Sequence, residues 1–130
     1  MNQSSRRLGD AELEIMLAIW SADGPVPSTY VHEKLRPSRS WALPAVITSL
    51  NRLVEKGFLA CEKQGRSNLY RPLISERDYK ASESRSFLDR LYGSSFQGLV
   101  ASLYDSRAIG VEDLEQLRDF LAELEEERHG

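Results

Sequence analysis

The apolar positions of the chain begin at helical spacing. Leu13, Met16, Leu17 and Trp20 lie three or four apart and predict one buried face on a helix from Ala11 to Ala22. Asp10 is the expected N-cap, because a carboxylate there accepts from the free N–H groups of the first turn. Gly24-Pro25 ends the run. Val31 and Leu35 share one face of a shorter helix, Ser28–Leu35, opened by Pro27 and closed by Pro37. A connector through Ser40 leads to a third helix, Leu43–Lys56. Its stripe is Val46, Leu50, Leu53 and Val54, with Pro44 in the first turn and Gly57 at the C′ position. The pattern then turns extended. Phe58–Lys63 and Asn68–Ile74 flank Gln64-Gly65-Arg66-Ser67 as a hairpin. Past Ser75 it is helical again, over Asp78–Tyr92, Ser95–Tyr104 and Val111–Arg128.

Three helices followed by a two-stranded hairpin is the order of a winged helix-turn-helix. The predicted fold is mainly α: a winged-helix domain over residues 1–75, then a helical region over residues 76–130. The later helices are too slight for a good core of their own. Their apolar positions are Phe87, Leu88, Leu91, Tyr92, Phe96, Leu99, Val100, Leu103, Leu114, Leu117, Leu121 and Leu124. The expectation is that a second copy of the chain buries them, making a homodimer. The alternative is that they fold back on the first part of the same chain.

The inward stripe of the third helix fixes what faces out. Pro44, Ile47, Thr48 and Asn51 fall opposite it, with Ala45 beside them, and these five are the candidates for base edges. Thr48 and Asn51 hydrogen-bond base edges, and Ile47 suits a thymine methyl. Arg52 and Lys56 flank that face and suit phosphate. Lys63, Arg66 and Ser67 lie at the hairpin tip, where a wing meets phosphate or the minor groove. Ser28 and Thr29 open the second helix, where hydroxyls donate to phosphate. Trp41, just ahead of the third helix, either packs or touches backbone.

Charge sharpens this picture. The 130 residues hold 17 Lys/Arg and 20 Asp/Glu, a formal net charge of −3, which by itself argues against a polyanionic partner. The total hides a division: residues 1–75 hold 10 basic against 7 acidic side chains, and residues 76–130 hold 7 against 13. Between Lys34 and Arg71 the count is 8 against 2. The basic share therefore lies where the winged helix is predicted.

Other chemistries find little footing. The chain has two histidines and one cysteine, and no HExxH, GxSxG, GxGxxG or Walker-type loop. No catalytic, cofactor or metal site is expected, and so no enzyme. Cys61, which alternates with apolar neighbours in a predicted strand, reads as a small buried filler. No apolar run approaches the roughly 18 residues of a membrane span, and no secretory signal is visible, so the expected place is the cytoplasm with no direct membrane insertion.

Several segments together resemble the BlaI/MecI-type penicillinase repressors. They are LGDAELEIMLAIW from Leu8, SWALPAVITSLNRLVEKGFL from Ser40 and QGRSNLYRPLI from Gln64. FLDRLYGSSFQGLVASLY from Phe87 and LEQLRDFLAELEEE from Leu114 complete the match. The resemblance implies a dimeric transcriptional repressor of an antibiotic or cell-wall-stress response, bound to a palindromic double-stranded DNA operator. It also implies a membrane-anchored sensor metalloprotease as partner, with release by a cut in the dimerisation region. Staphylococcal-type members are cut between Asn and Phe; the corresponding pair here is Ser102-Leu103. Many relatives carry two polar residues, often Thr-Thr, where this chain has Pro44-Ala45. The Cys-x-Cys pairs of copper-responsive relatives are missing. A winged helix that binds another protein without reading DNA sequence is the alternative.

Overall fold

The computed structural model describes residues 7–129. Helix α1 (Asp10–Trp20) is followed by a short strand β1 (Val26–Pro27), helix α2 (Ser28–Leu35) and helix α3 (Leu43–Glu55). Strands β2 (Leu59–Gln64) and β3 (Ser67–Pro72) precede α4 (Glu76–Tyr92), α5 (Phe96–Asp105) and α6 (Val111–His129). The chain divides into two compact units, one ending at Glu83 and the other beginning at Ser84.

The first unit is a winged helix built on one core. Ile15, Met16 and Ile19 of α1 meet Val31 and Leu35 of α2 and Val46, Leu50 and Leu53 of α3, closed by Phe58, Leu59 and Tyr70. The stripe predicted for α3 is therefore the buried one. On α1 the buried face is rotated from the expected one: Ile15, Ala18 and Ile19 are covered, while Leu17 is 41% exposed. Leu17 is large and apolar, but a helix has one inner face, and Ile15 and Ile19 at i, i+4 occupy it.

The N-cap of α1 is Gly9 and not Asp10, which is the first helical residue. Glu12 explains the shift. Its Oε1 accepts from the Gly9 N–H (3.1 Å), as in one half of a capping box. The same carboxylate accepts from Lys56 Nζ at the end of α3 (2.7 Å). Burial pushes the Glu12 carboxyl up, but the Lys56 hydrogen bond, the Gly9 N–H and the nearby cations outweigh it and hold its pKa below the ordinary value. A carboxylate with a depressed folded-state pKa stabilises the fold above its unfolded pKa and loses that contribution as pH falls through the folded value. Glu12→Gln should therefore melt lower than wild type at neutral pH. The difference should close as pH drops below 4.5, the ordinary value. Paired thermal melts across that range check it.

The hairpin pairs Leu59 with Pro72 through Gln64 with Ser67. Only Gly65 and Arg66 lie between the strands, and Gly65 takes φ +64°, the sign a type II′ turn demands at its first central position. Strand β1 adds to the other edge of β3, with Val26 opposite Tyr70, so the sheet order is β1-β3-β2. Two residues carry no periodicity, which is why the sequence pattern passes over β1. Cys61 is exposed, contrary to the buried filler expected. It shares a face with Leu59, but the core ends near Leu59 and the hairpin runs on beyond it.

The opening of α4 also belongs to the first unit. Tyr79 is buried there, accepts a hydrogen bond from the Leu8 N–H on its phenol oxygen (3.1 Å), and packs tilted against Trp20 and edge-to-face against Phe58, with ring centroids 5.8 and 5.9 Å away. Trp20 completes the contact by donating its indole N–H to the Ile74 carbonyl (2.9 Å).

The second unit is different in kind. Ser95 caps α5 by accepting from the Gly98 N–H (3.0 Å), and Asp113 accepts from the Gly110 N–H ahead of α6 (2.8 Å). Yet from Ser84 onward no described residue is buried.

Candidate nucleic-acid interface

With Val46, Leu50 and Leu53 fully covered, the far side of α3 is open. Pro44, Ala45, Thr48 and Asn51 are exposed there, and Ile47 is half-buried. Pro44 sits in the first turn, where no ladder bond needs its missing N–H. Thr48 Oγ1 donates back to the Pro44 carbonyl (3.0 Å), which commits its proton and leaves the hydroxyl as an acceptor. Asn51 is left with both donor and acceptor groups. From Leu43 to Arg52 this helix carries no acidic side chain.

The cations differ in their engagements. Lys56 is held by Glu12, and Arg71 pairs with Glu62 across the hairpin. Arg36 pairs with Glu33 (2.8 Å) and Arg39 with Glu14 (2.5 Å). Lys34 lies over the Tyr30 ring, 5.6 Å from its centroid. Lys63 and Arg66 have no carboxylate partner among the described residues, so their charges are available to an outside anion; Arg52 makes no ion pair there, although its charge is felt by Glu12. Lys63, Arg66 and Ser67 are exposed at the hairpin tip, Thr29 is exposed at the start of α2, and Ser28 is half-buried. Trp41 packs against the core, with the Arg39 guanidinium 5.0 Å from its ring centroid. Its carbonyl faces His32 Nε2 at 2.8 Å. The contacts of Arg39, Glu14 and His32 have no signature in the sequence pattern, because they join different elements and leave no trace in the spacing along one of them.

The second unit gathers the predicted apolar set without covering it. Leu91, Phe96, Phe87, Leu121 and Leu124 are exposed, and Leu88, Tyr92, Leu99, Val100, Leu103, Leu114 and Leu117 are half-buried. Phe96, Val100 and Tyr104 of α5 with Leu114 and Leu117 of α6 line an apolar groove of ≈ 400 Å³. Tyr104, Val111 and Phe120 are further exposed apolar side chains that the helical stripe did not single out. Ser102 and Leu103 lie inside α5. The Ser102 carbonyl accepts from the Ser106 N–H (3.1 Å) and that of Leu103 from the Ala108 N–H (2.9 Å). Among the described residues no group of three or more His, Cys, Asp or Glu is placed to hold a metal ion.

A family model described as penicillinase repressor matches residues 8–123. The penicillinase repressor of Bacillus licheniformis is 32% identical over 117 residues, covering 90% of this chain and 91% of that protein. The transcriptional regulator BlaI of Mycobacterium tuberculosis is 30% identical over 119 residues, 92% of this chain and 86% of that one. Among solved structures, the DNA binding domain of the repressor BlaI is 37% identical over 56% of this chain and 88% of its own, with a TM-score of 0.50.

Proposed function

The chain belongs to the penicillinase repressor family, and we infer from this that it is a DNA-binding transcriptional repressor of an antibiotic-resistance response. The observation that carries the reading on this chain is the exposed, acid-free face of α3 from Leu43 to Arg52. It sits in the same unit as a wing whose Lys63 and Arg66 lack carboxylate partners. Asn51, Thr48, Ile47, Ala45 and Pro44 meet base edges. Arg52, Lys63, Arg66 and Ser67 meet phosphate, with Ser28 and Thr29 at the start of α2. Lys56, already held by Glu12, acts at most by its charge.

In the finer reading the repressor is a homodimer on a pseudo-palindromic operator. The helices from Ser84 onward supply the apolar contacts and set half-site spacing. It works in the cytoplasm, where the DNA is; among the described residues no helix is long and apolar enough to cross a membrane. Release follows a cut in that helical unit, made under the control of a membrane-anchored sensor metalloprotease. Ser102-Leu103 is the candidate bond. A protease binds its substrate extended, so α5 must unwind locally before that bond can be cut.

Two substitutions separate backbone contact from base reading. Arg66→Ala should weaken binding to every duplex alike and lower the salt slope by about 1. Asn51→Ala should change which base is preferred, by about 1–3 kcal/mol at one position. Titrations against operator and random duplexes at several salt concentrations read both effects. If Arg66→Ala leaves the slope untouched, the wing does not meet phosphate. Flat, weak binding of the wild type to all duplexes would favour a winged helix that binds protein instead.

A further inference from the structure

The stretch between Leu35 and Leu43 has no regular structure beyond a turn, yet it determines where α3 begins. Two ties hold it. From α1, Glu14 accepts from Ser38 Oγ (3.1 Å) and from Arg39 Nε (2.5 Å), and Arg39 lies against the Trp41 ring. From α2, His32 Nε2 lies 2.8 Å from the Trp41 carbonyl oxygen. A carbonyl only accepts, so Nε2 carries the proton. That carbonyl stands outside the α3 ladder. The first turn donates to Ala42 instead, from the N–H groups of Ala45 (3.0 Å) and Val46 (3.3 Å). His32 thus supplies, from a neighbouring helix, a donor for an oxygen that the helix itself leaves unused.

Building on the repressor reading above, we propose that His32 is a positioning residue for base readout: its hydrogen bond to Trp41 fixes the angle at which α3 presents Pro44, Thr48 and Asn51. Hydrogen bonds to base edges are short and directional, so a small rotation of α3 breaks them. Contacts from Arg52, Lys63 and Arg66 to phosphate run through long flexible side chains and follow such a rotation. Loosening the Trp41 carbonyl therefore removes discrimination and spares general affinity.

The test uses the full chain. Its specific probe is the duplex that the wild type enriches from a random-sequence pool, and its reference is an unrelated duplex of equal length. His32→Gln and His32→Met both fill the site, so both should fold, but only glutamine brings an N–H to the carbonyl. His32→Met should lower the ratio of the two affinities about tenfold, roughly what one lost base contact costs. The salt slope on each duplex should stay as it is, because the phosphate contacts are unchanged. His32→Gln should keep most of the ratio. An unchanged ratio in His32→Met overturns the proposal, and so does an equal loss in both variants. A fall on both duplexes together also overturns it, since that is damage to the fold. A wild-type chain that enriches no sequence overturns the repressor reading itself, and this one with it.

Discussion

A chain ending at Glu83 is expected to sediment as a monomer and to bind operator about 10²–10⁴-fold more weakly than the full protein, the usual gain from joining two binding modules. The second unit is the reason. None of its described residues is buried, and Leu91, Val111, Phe96 and Phe120 are each more than half exposed. Apolar area left in water at about 25 cal/mol per Å² is a standing drive to associate, and in the proposed homodimer the second copy covers it. Once two copies are joined, the second DNA-binding unit meets its half-site at an effective concentration set by the first, and that gain disappears on truncation. The salt dependence should also flatten, since one unit displaces about half the counterions of two. Ending the chain at Glu83 matters. A cut at Ser75 would discard Tyr79, which belongs to the core of the winged helix. Sedimentation and duplex titration of the two lengths decide the matter. A truncated chain that stays dimeric, or binds as tightly, removes the second unit from the dimer interface.

The fold is most legible in the sequence along α3. Val46, Leu50 and Leu53 repeat at helical spacing, and their burial is what spacing reports. The outward face of α3 follows from geometry once that stripe is known. Gly57 and Gly65 mark turns because they take φ +87° and +64°. What escapes is whatever depends on partners distant in sequence. The α1 cap moves to Gly9 because Glu12 turns back toward it and is also held by Lys56, 44 residues further along. Cys61 alternates correctly but lies past the edge of the core. The charge pattern locates the basic region, but only pairing distinguishes Arg66, which has no carboxylate partner among the described residues, from Arg71, which Glu62 engages.

Tyr79 offers the largest expected effect on stability. Tyr79→Ala should cost the first unit about 3–5 kcal/mol, the range for an aromatic removed from a core. The ring fills the space between Trp20 and Phe58, and its oxygen accepts from the Leu8 N–H. Tyr79→Phe keeps the ring and deletes the oxygen, so it isolates the hydrogen bond. Leaving the Leu8 N–H without its partner should cost about 1–3 kcal/mol. The phenol also carries a pH signature. Burial holds its pKa above the ordinary 10.0, with Glu83 adding to the rise and the Leu8 N–H and Arg7 opposing it. A group whose folded pKa is raised stabilises fully below its unfolded pKa, and that contribution fades as pH rises through the folded value. Wild type should therefore lose stability above pH 10.0 faster than Tyr79→Phe. Tyr70, whose phenol burial also pushes up, titrates in both chains and cancels in the difference. Denaturant melts of the Glu83-terminated chain and its two variants measure the unit by itself. If Tyr79→Ala costs less than Tyr79→Phe should, the start of α4 is not part of that core.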